Sequence, residues 1–189
     1  MSTASRVPGD YSSVSDPEQA LKYAIRHVAG DRTQIIEGVI TPRSPSWAHE
    51  SAADIVRRQL RSRLEQLDLV SGSGDLDLPG SENWYTPDLA VVPAELAMQT
   101  EGALLPDQTL LIVEVRSPAT AETDRVVKRR RYGQYGAPLY LLVDLQNRSC
   151  TLYSEPTRLG YAAESGPHPF GTPVPLPAPF DLELDTSRL

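Results

Sequence analysis

Hydrophobic and polar positions recur with two different periods along the chain, and these periods predict both helices and strands. An apolar stripe at helical spacing follows Ser46 and predicts a long helix over residues 46–67, with Ser46 as its cap. Asp16-Pro17-Glu18 is a good helix start and predicts an earlier helix that ends near residue 29. A third helix is expected over residues 120–135 and ends at Gly136.

Short runs of β-branched and aliphatic residues predict the strands. These runs are TQIIEGVIT, interrupted at its Glu-Gly, and then WYTPDLAVVP, LLIVEVR, LYLLVDL and SCTLYSE. Early strands, late strands and a strand–helix–strand unit over residues 110–145 indicate an α/β or α+β domain with a mixed sheet. Residues 1–15 are expected to be a flexible N-terminus, and residues 16–189 a single domain.

The last part of the chain has a different composition. Seven of the 17 prolines fall in residues 156–179, and proline is excluded from central strands and helix interiors. The proline-rich tail is therefore predicted to wrap around the domain in extended form. It should end in a short edge strand at FDLELD, residues 180–185.

Composition removes several functional classes. The net charge of −7 argues against a protein that simply coats nucleic acid, although it allows a small basic face. Three scattered histidines show no zinc spacing, and no phosphate-binding glycine motif is present. The single Cys150 suits a reducing compartment and a packing role, and no segment is apolar enough for a membrane span. We therefore expect a cytoplasmic protein without a membrane partner.

The stretch LLIVEVRSP, residues 110–118, carries one carboxylate within a strand that reads as buried on both faces. An unpaired carboxylate at such a position costs several kcal/mol, so Glu114 must be neutralised or find a cation. An alternative is that Glu114 lies at an exposed strand end and pairs with Arg116 or Arg131.

Several charged residues converge on this strand if the unit folds as predicted. Asp88 follows Pro87 at a strand start, and Arg116 shares a sheet face with Glu114 because it lies two residues further on. Asp124 and Lys128 are four residues apart and share one helix face, although they could equally form an ordinary exposed pair. Two neighbouring carboxylates repel unless a divalent cation lies between them, and Mg²⁺ prefers oxygen ligands.

A Pro-Asp followed by Glu-x-basic on the next core strand resembles the pattern of the PD-(D/E)xK nuclease superfamily. Within it, residues 110–153 resemble the Uma-type family of endonucleases, which has a restriction-endonuclease-like fold. The upstream segments IIEGVITPRSPSWAH and TPDLAVVP and the closing PFDLELDTSRL are also similar to that family. The matched positions are Glu114, Ser117, Pro118, Asp124, Lys128, Tyr132, Gly136, Pro138, Tyr140, Val143 and Asp144.

The resemblance implies a role for each matched position. Asp88 and Glu114 would bind Mg²⁺, or alternatively Mn²⁺, with help from the backbone carbonyl of Val115. Lys128 would be the catalytic lysine, shifted from the strand to the helix. Arg116 stands where most members have an apolar residue, so the basic role stays open between Arg116 and Lys128; Lys128 is favoured because lysine deprotonates more readily.

Other residues are candidates for the border of such a site. The basic part of the third predicted helix, residues 125–131, could contact phosphates or could simply be a solvated surface. For His49, a capping or packing role is the better interpretation. The phosphate-contact candidates are Arg125, Arg129, Arg130 and Arg131, and the cleft-border candidates are Glu37, His49 and Glu50.

These observations together predict a metal-dependent endonuclease that hydrolyses DNA phosphodiester bonds. A homodimer is plausible on the ground that cutting both strands of a duplex needs two sites. The alternatives are a catalytically inactive binding or scaffold protein that keeps the nuclease fold, and a nuclease acting on RNA or structured nucleic acid.

Overall fold

The computed structural model describes residues 16–27, 33–43, 45–116 and 123–189, with side chains in the last range described from residue 126. The predicted alternation of helices and strands is present in these residues. The helices are α1 (Pro17–His27), α2 (Trp47–Gln66), α3 (Ala94–Gln99) and α4 (Arg129–Gln134), and a π-helical segment, Thr123–Lys128, leads directly into α4. The strands are β1 (Thr33–Ile36), β2 (Val39–Pro42), β3 (Leu69–Gly72), β4 (Leu76–Leu78), β5 (Asn83–Tyr85), β6 (Leu89–Pro93), β7 (Leu111–Arg116), β8 (Leu139–Asp144), β9 (Ser149–Thr157), β10 (Gly160–Pro169), β11 (Val174–Leu176) and β12 (Leu182–Leu184).

A six-stranded mixed sheet forms the centre of the fold. Its strand order is β10-β9-β8-β7-β6-β3, in which β7 and β8 are parallel and the other neighbours antiparallel. The parallel pair is joined by the segment that contains α4, as a parallel connection requires a crossover. A four-stranded antiparallel sheet, β2-β1-β5-β4, and the β11–β12 pair complete the strand set of the described residues.

One face of the central sheet is covered by α2. Ser46 caps this helix by accepting the His49 N–H, as predicted, and the apolar stripe packs on alternate residues of β6, β7 and β8. The proline-rich tail closes the same core, which confirms the predicted wrap. The buried contributors are Val56, Leu60 and Leu64 of α2, Leu89, Leu111, Val113, Val115 and Leu141 of the sheet, and Val174, Leu176, Phe180 and Leu184 of the tail.

The opposite face is covered by α4 and by strands of the smaller sheet. Its core is rich in tyrosine, with Tyr85, Tyr132 and Tyr140 among the largest fully buried side chains. Gly133 allows α4 to approach β10 closely, because a Cβ there would lie 2.5 Å from the carbonyl carbon of Gly160. This contact fixes the helix that follows β7.

The proline-rich tail is more ordered than the sequence predicts. Residues 160–169 form a ten-residue edge strand, which tolerates Pro167 because the register shifts between Ser165 and His168. The final strand pairs with β11 rather than with the edge of the central sheet. The helix α3 had no sequence signal, and the predicted Glu-Gly interruption is the turn between β1 and β2.

Cys150 is buried in β9, as its packing role requires, and burial raises the pKa of its thiol to about 12. Among the described helices, none combines the length and the apolarity that crossing a membrane would need.

Candidate active site

Two carboxylates lie where β6 begins and β7 ends. Leu89 pairs with Val113, and both point into the core beneath α2. Continued by one residue, this antiparallel register would set Asp88, which precedes β6, opposite Glu114. Asp88 contacts the backbone N–H of Val115, the residue after Glu114. The two carboxylates therefore lie close to each other at the end of β7.

Asp88 is held by a backbone amide and by a cation. The Val115 N–H donates to Oδ2 of Asp88 over 2.6 Å, and an Arg43 Nη2 donates to Oδ1. The side chains of Asp88 and Arg43 are only 8% and 15% exposed, so this ion pair is largely withdrawn from water. Asp88 therefore lies at the edge of β7 with its charge compensated.

Glu114 is buried and is paired with Lys128. The Lys128 Nζ lies 3.0 Å from Oε1 of Glu114, and both side chains are 3% exposed. The Tyr132 hydroxyl donates to the same oxygen over 2.8 Å. The Lys128 ammonium also lies 5.8 Å from the centre of the Tyr85 ring. An ionised carboxylate is tolerated here because a cation and a hydroxyl replace part of its lost hydration.

The helical segment after β7 brings Lys128 and Tyr132 to Glu114. The two residues are four positions apart, so they lie on one helix face. The π-helical segment ends at Lys128, and such wide turns are frequent at functional sites. Burial raises the pKa of Tyr132 well above its usual range, and the negative charge of Glu114 adds to the effect. The Tyr132 hydroxyl therefore stays protonated and remains a donor.

Arg116 takes part in a different ion pair. Its Nη1 contacts Oδ2 of Asp144 on the parallel strand β8, whose register sets the two residues side by side. Asp144 also accepts the N–H groups of Gln146 and Asn147 over 3.1 and 3.0 Å. Burial opposes ionisation of Asp144, but hydrogen bonds from Asn147 and Arg116 outweigh it and lower the pKa. Arg116 therefore supports the turn after β8.

The basic helix makes specific contacts of its own. Arg129 stacks 5.1 Å from the centre of the Tyr153 ring, and Arg131 binds both carboxylate oxygens of Glu37 at 2.6 Å. The Arg131 hydrogen bond is the main reason why the pKa of Glu37 is lowered. Arg130 is exposed. The side chains of Asp124 and Arg125 lie outside the described part of the structure.

A cleft of about 800 Å³ opens beside Asp88. Glu50, one of the predicted border residues, lines it, whereas His49 is buried and lies 3.1 Å from the Ser46 hydroxyl, which is a capping arrangement. Glu114 and Lys128 lie beneath the surface rather than in the lining. Both signs of charge meet in the wall, which contains Arg26, Arg43 and Arg57 together with Glu50, Asp75, Asp88 and Glu101.

The roles of these three arginines were not predicted from the sequence. Arg43 is part of the TPRSP stretch before α2, where a single basic residue stands among prolines and hydroxyl residues. Its contact with Asp88 joins positions 45 residues apart, so only the folded chain reveals it. A lone cation in an otherwise uncharged loop next to a predicted helix cap was the one available signal.

The donor chemistry of the site fits a divalent cation. Asp88 and Glu114 supply carboxylate oxygens, and the backbone of Val115 contacts Asp88 through its N–H. In the described part of the chain, no group of three acidic, histidine or cysteine side chains could enclose a metal. A small hard cation that keeps several waters suits a site with two carboxylates.

A mixed sheet with helices on both faces is the architecture of the restriction-endonuclease-like class of proteins. The family model described as "Putative restriction endonuclease" (Uma2) matches residues 17–187. The chain belongs to the Uma2 family, and the recognised resemblance is confirmed.

A solved structure has the same fold. It is described as a "putative nuclease belonging to DUF820 from Anabaena variabilis ATCC 29413", and it superposes with a TM-score of 0.69 at 17% sequence identity. The match covers 88% of this chain and 94% of the other. A comparison with curated proteins found no match. The family description supports a nuclease, and this neighbour supports the fold.

Proposed function

We propose that the protein is a metal-dependent endonuclease that hydrolyses phosphodiester bonds of DNA. The observation that carries this proposal is that Asp88 contacts the backbone N–H of Val115 while Lys128 contacts the adjacent Glu114, so the three charged groups meet at the end of β7. The family's description and the fold of its structural neighbour support the nuclease class. The order of the predicted elements supports one domain over residues 16–189. The single cysteine suits a reducing compartment, which supports action in the cytoplasm.

Asp88, Glu114 and the Val115 carbonyl would hold the cation, Mg²⁺ in the first place and Mn²⁺ as a substitute. A bound divalent cation supplies Lewis-acid stabilisation of phosphate charge and lowers the pKa of a water. The chain's own contribution is to keep both carboxylates ionised and fixed. Asp88 is fixed by the Val115 N–H, and Glu114 by the Tyr132 hydroxyl and the Lys128 ammonium.

Lys128 is the better candidate than Arg116 for the basic catalytic role. Its Nζ contacts Glu114 directly, whereas the Arg116 guanidinium contacts Asp144 and, through it, the turn after β8. A lysine in a buried site can hold a water or release a proton, and an arginine stays protonated. Lys128 would orient the attacking water or neutralise charge on the phosphate in the transition state.

A catalytically inactive nucleic-acid-binding protein is the second candidate. The specific observation in its favour is that a cation already lies on each carboxylate, Arg43 on Asp88 and Lys128 on Glu114. Cutting both strands of a duplex would further need two sites, which a homodimer would provide. RNA or structured nucleic acid remains the alternative substrate, and the assay below includes it.

The test is a cleavage assay with Mn²⁺ on supercoiled plasmid, a branched duplex and single-stranded RNA. The wild type is expected to cut plasmid, and Lys128→Ala to lose about 10²-fold or more of the rate, as removal of one charge-stabilising group does. Arg148→Ala is the matched control, because it removes an exposed cation that contacts the Phe170 ring and has no part in the proposed site.

Three results separate the alternatives. Cleavage of RNA alone would replace the substrate, and duplex binding without cleavage of any substrate would favour the binding protein. Equal rates for Lys128→Ala and the wild type would contradict the assignment of Lys128, and a loss in Arg116→Ala instead would transfer the role to Arg116.

A further inference from the structure

Arg43 is the one described cleft arginine in direct contact with a proposed metal-binding carboxylate. It lies between β2 and the cap of α2, and its guanidinium reaches across to Oδ1 of Asp88. The other cleft arginines have other contacts: Arg26 lies 4.8 Å from the centre of the Trp84 ring, and Arg57 is 3.7 Å from Asp54 on its own helix. Arg43 thus carries the same charge as the other two cleft arginines, but it alone among these three contacts Asp88.

The guanidinium and a divalent cation cannot share Asp88 without cost. Both carry positive charge, and two like charges near one largely buried carboxylate repel strongly because little water screens them. Oδ2 of Asp88 already accepts the Val115 N–H, so a cation would approach the carboxylate most easily at Oδ1. In this structure Arg43 donates to Oδ1. Entry of a cation beside Asp88 must therefore weaken or break the contact with Arg43.

The displaced guanidinium has an evident destination. Arg43 lines the cleft of about 800 Å³ in which Asp88 also lies, and a substrate phosphate near Asp88 would be within the same space. A guanidinium binds phosphate with two parallel hydrogen bonds and does not lose its charge. Phosphate in the cleft would replace the anionic partner that Arg43 gives up.

We propose that Arg43 is a positioning residue that exchanges partners: it compensates Asp88 in the metal-free protein and binds a substrate phosphate once a divalent cation takes its place. This inference rests on the proposed function. It couples the two binding events, because the cation alone must break the Arg43–Asp88 pair, whereas cation and phosphate together leave every charge with a partner. Binding of either one then favours binding of the other.

The experiment has two measurements on the full chain. Calorimetric titration with Mn²⁺ in the absence of nucleic acid gives the metal affinity of the wild type and of Arg43→Gln. Fluorescence anisotropy of a labelled DNA duplex gives its affinity in EDTA and in Ca²⁺. Arg57→Gln is the matched control, because it removes the same charge from the same cleft without touching Asp88.

Arg43→Gln is expected to bind Mn²⁺ about tenfold more tightly than Arg57→Gln, which corresponds to about 1.4 kcal/mol of competition removed. In EDTA the two variants should bind duplex alike, because Arg43 is then engaged with Asp88. In Ca²⁺ the Arg43 variant should bind duplex more weakly than the control. Arg43→Lys, which keeps the charge, is the second variant in case the glutamine form is unstable, and its Mn²⁺ affinity should stay near that of the wild type.

The outcomes distinguish this inference from the proposed function. Equal Mn²⁺ affinities for the Arg43 and Arg57 variants, with measurable binding in both, would overturn the exchange and leave the metal site intact. Absence of Mn²⁺ binding in the wild type and in every variant would overturn both. Mn²⁺ binding that appears only in the Arg43→Gln protein would support the exchange.

Discussion

Strand β7 contributes Glu114 and Arg116, two residues apart, to two buried ion pairs, and the two pairs have different roles. Glu114 pairs with Lys128, and Arg116 pairs with Asp144, with every side chain at most about a tenth exposed. Asp144 also receives two backbone amides and the Asn147 side chain, all from the turn that follows it. The Arg116–Asp144 pair therefore organises local structure.

The partners of Glu114 come from a separate helix and include a tyrosine hydroxyl. Lys128 and Tyr132 reach it from the segment that follows β7, and Asp88, which precedes β6, contacts the backbone N–H of the next residue, Val115. Glu114 thus lies where three segments of the chain meet, whereas Asp144 serves one turn. Residue type and burial therefore do not separate the proposed catalytic pair from the structural pair, whereas the origin of the partners does.

The largest expected difference between the two pairs is in catalysis. Glu114→Gln should lower the rate of cleavage with Mn²⁺ by about 10²–10³-fold or more, because the change removes a metal-binding charge. Asp144→Asn should retain most of the rate per folded molecule. Plasmid cleavage at matched folded concentrations measures both, and an equal loss in the two variants would erase the distinction between the pairs.

A large effect on stability is expected at the structural pair. Asp144→Ala leaves the Arg116 guanidinium without its carboxylate and removes the acceptor of three hydrogen bonds from the following turn, so it should lower the free energy of unfolding by about 3 kcal/mol or more. Urea unfolding followed by circular dichroism gives the value. A change below about 0.5 kcal/mol, the usual effect of an ordinary surface substitution, would show that the turn does not depend on Asp144.

The site pair should behave in the opposite way when both charges are removed. In the double variant Glu114→Gln/Lys128→Met, the glutamine oxygen still accepts the Tyr132 hydroxyl and neither charge is buried alone. We expect the free energy of unfolding to stay within about 1 kcal/mol of the wild type or to rise, since buried ion pairs are often replaceable by uncharged groups. A marked loss of stability would indicate that this pair also holds the fold.

The smallest expected effect is in the pH dependence of stability. The pKa of Asp144 is lowered in the folded protein from a usual value of 3.8, so its stabilising contribution is fully present above that pH and is lost as the pH falls through the folded pKa. The stability difference between the wild type and Asp144→Asn should therefore be constant near neutral pH and shrink below about pH 4. A difference that grew on acidification would contradict the lowered pKa.

The sequence predicts most of the site because its signals are local or periodic. Alternation along β7 places Glu114 and Arg116 on one face, and helical spacing places Lys128 and Tyr132 together. The resemblance to the Uma-type family favours Lys128 over Arg116 for the basic role, and the contact of Lys128 with Glu114 favours the same choice. Asp88 was proposed because it follows Pro87 at a strand start that is recognisable in the chain itself.

The rest depends on contacts between distant segments. The Arg43–Asp88 contact joins an irregular loop to a strand start, and no period in the sequence connects them. The partner of Arg116 follows from the parallel register of β7 and β8, which the sequence alone does not specify. The helix α3 and strands β3, β4 and β5 are too short for a periodic signal, and tertiary pairing decides their form.

The central claim is that Asp88 and Glu114 share one divalent cation. Anomalous diffraction from a crystal soaked in Mn²⁺ tests it directly. The result we expect is one Mn²⁺ peak about 2.1 Å from a carboxylate oxygen of each residue, close to the octahedral distance of Mg²⁺. A Mn²⁺ peak elsewhere on the molecule, or an Arg43 guanidinium still bound to Asp88 with no peak beside it at saturating Mn²⁺, would contradict the claim.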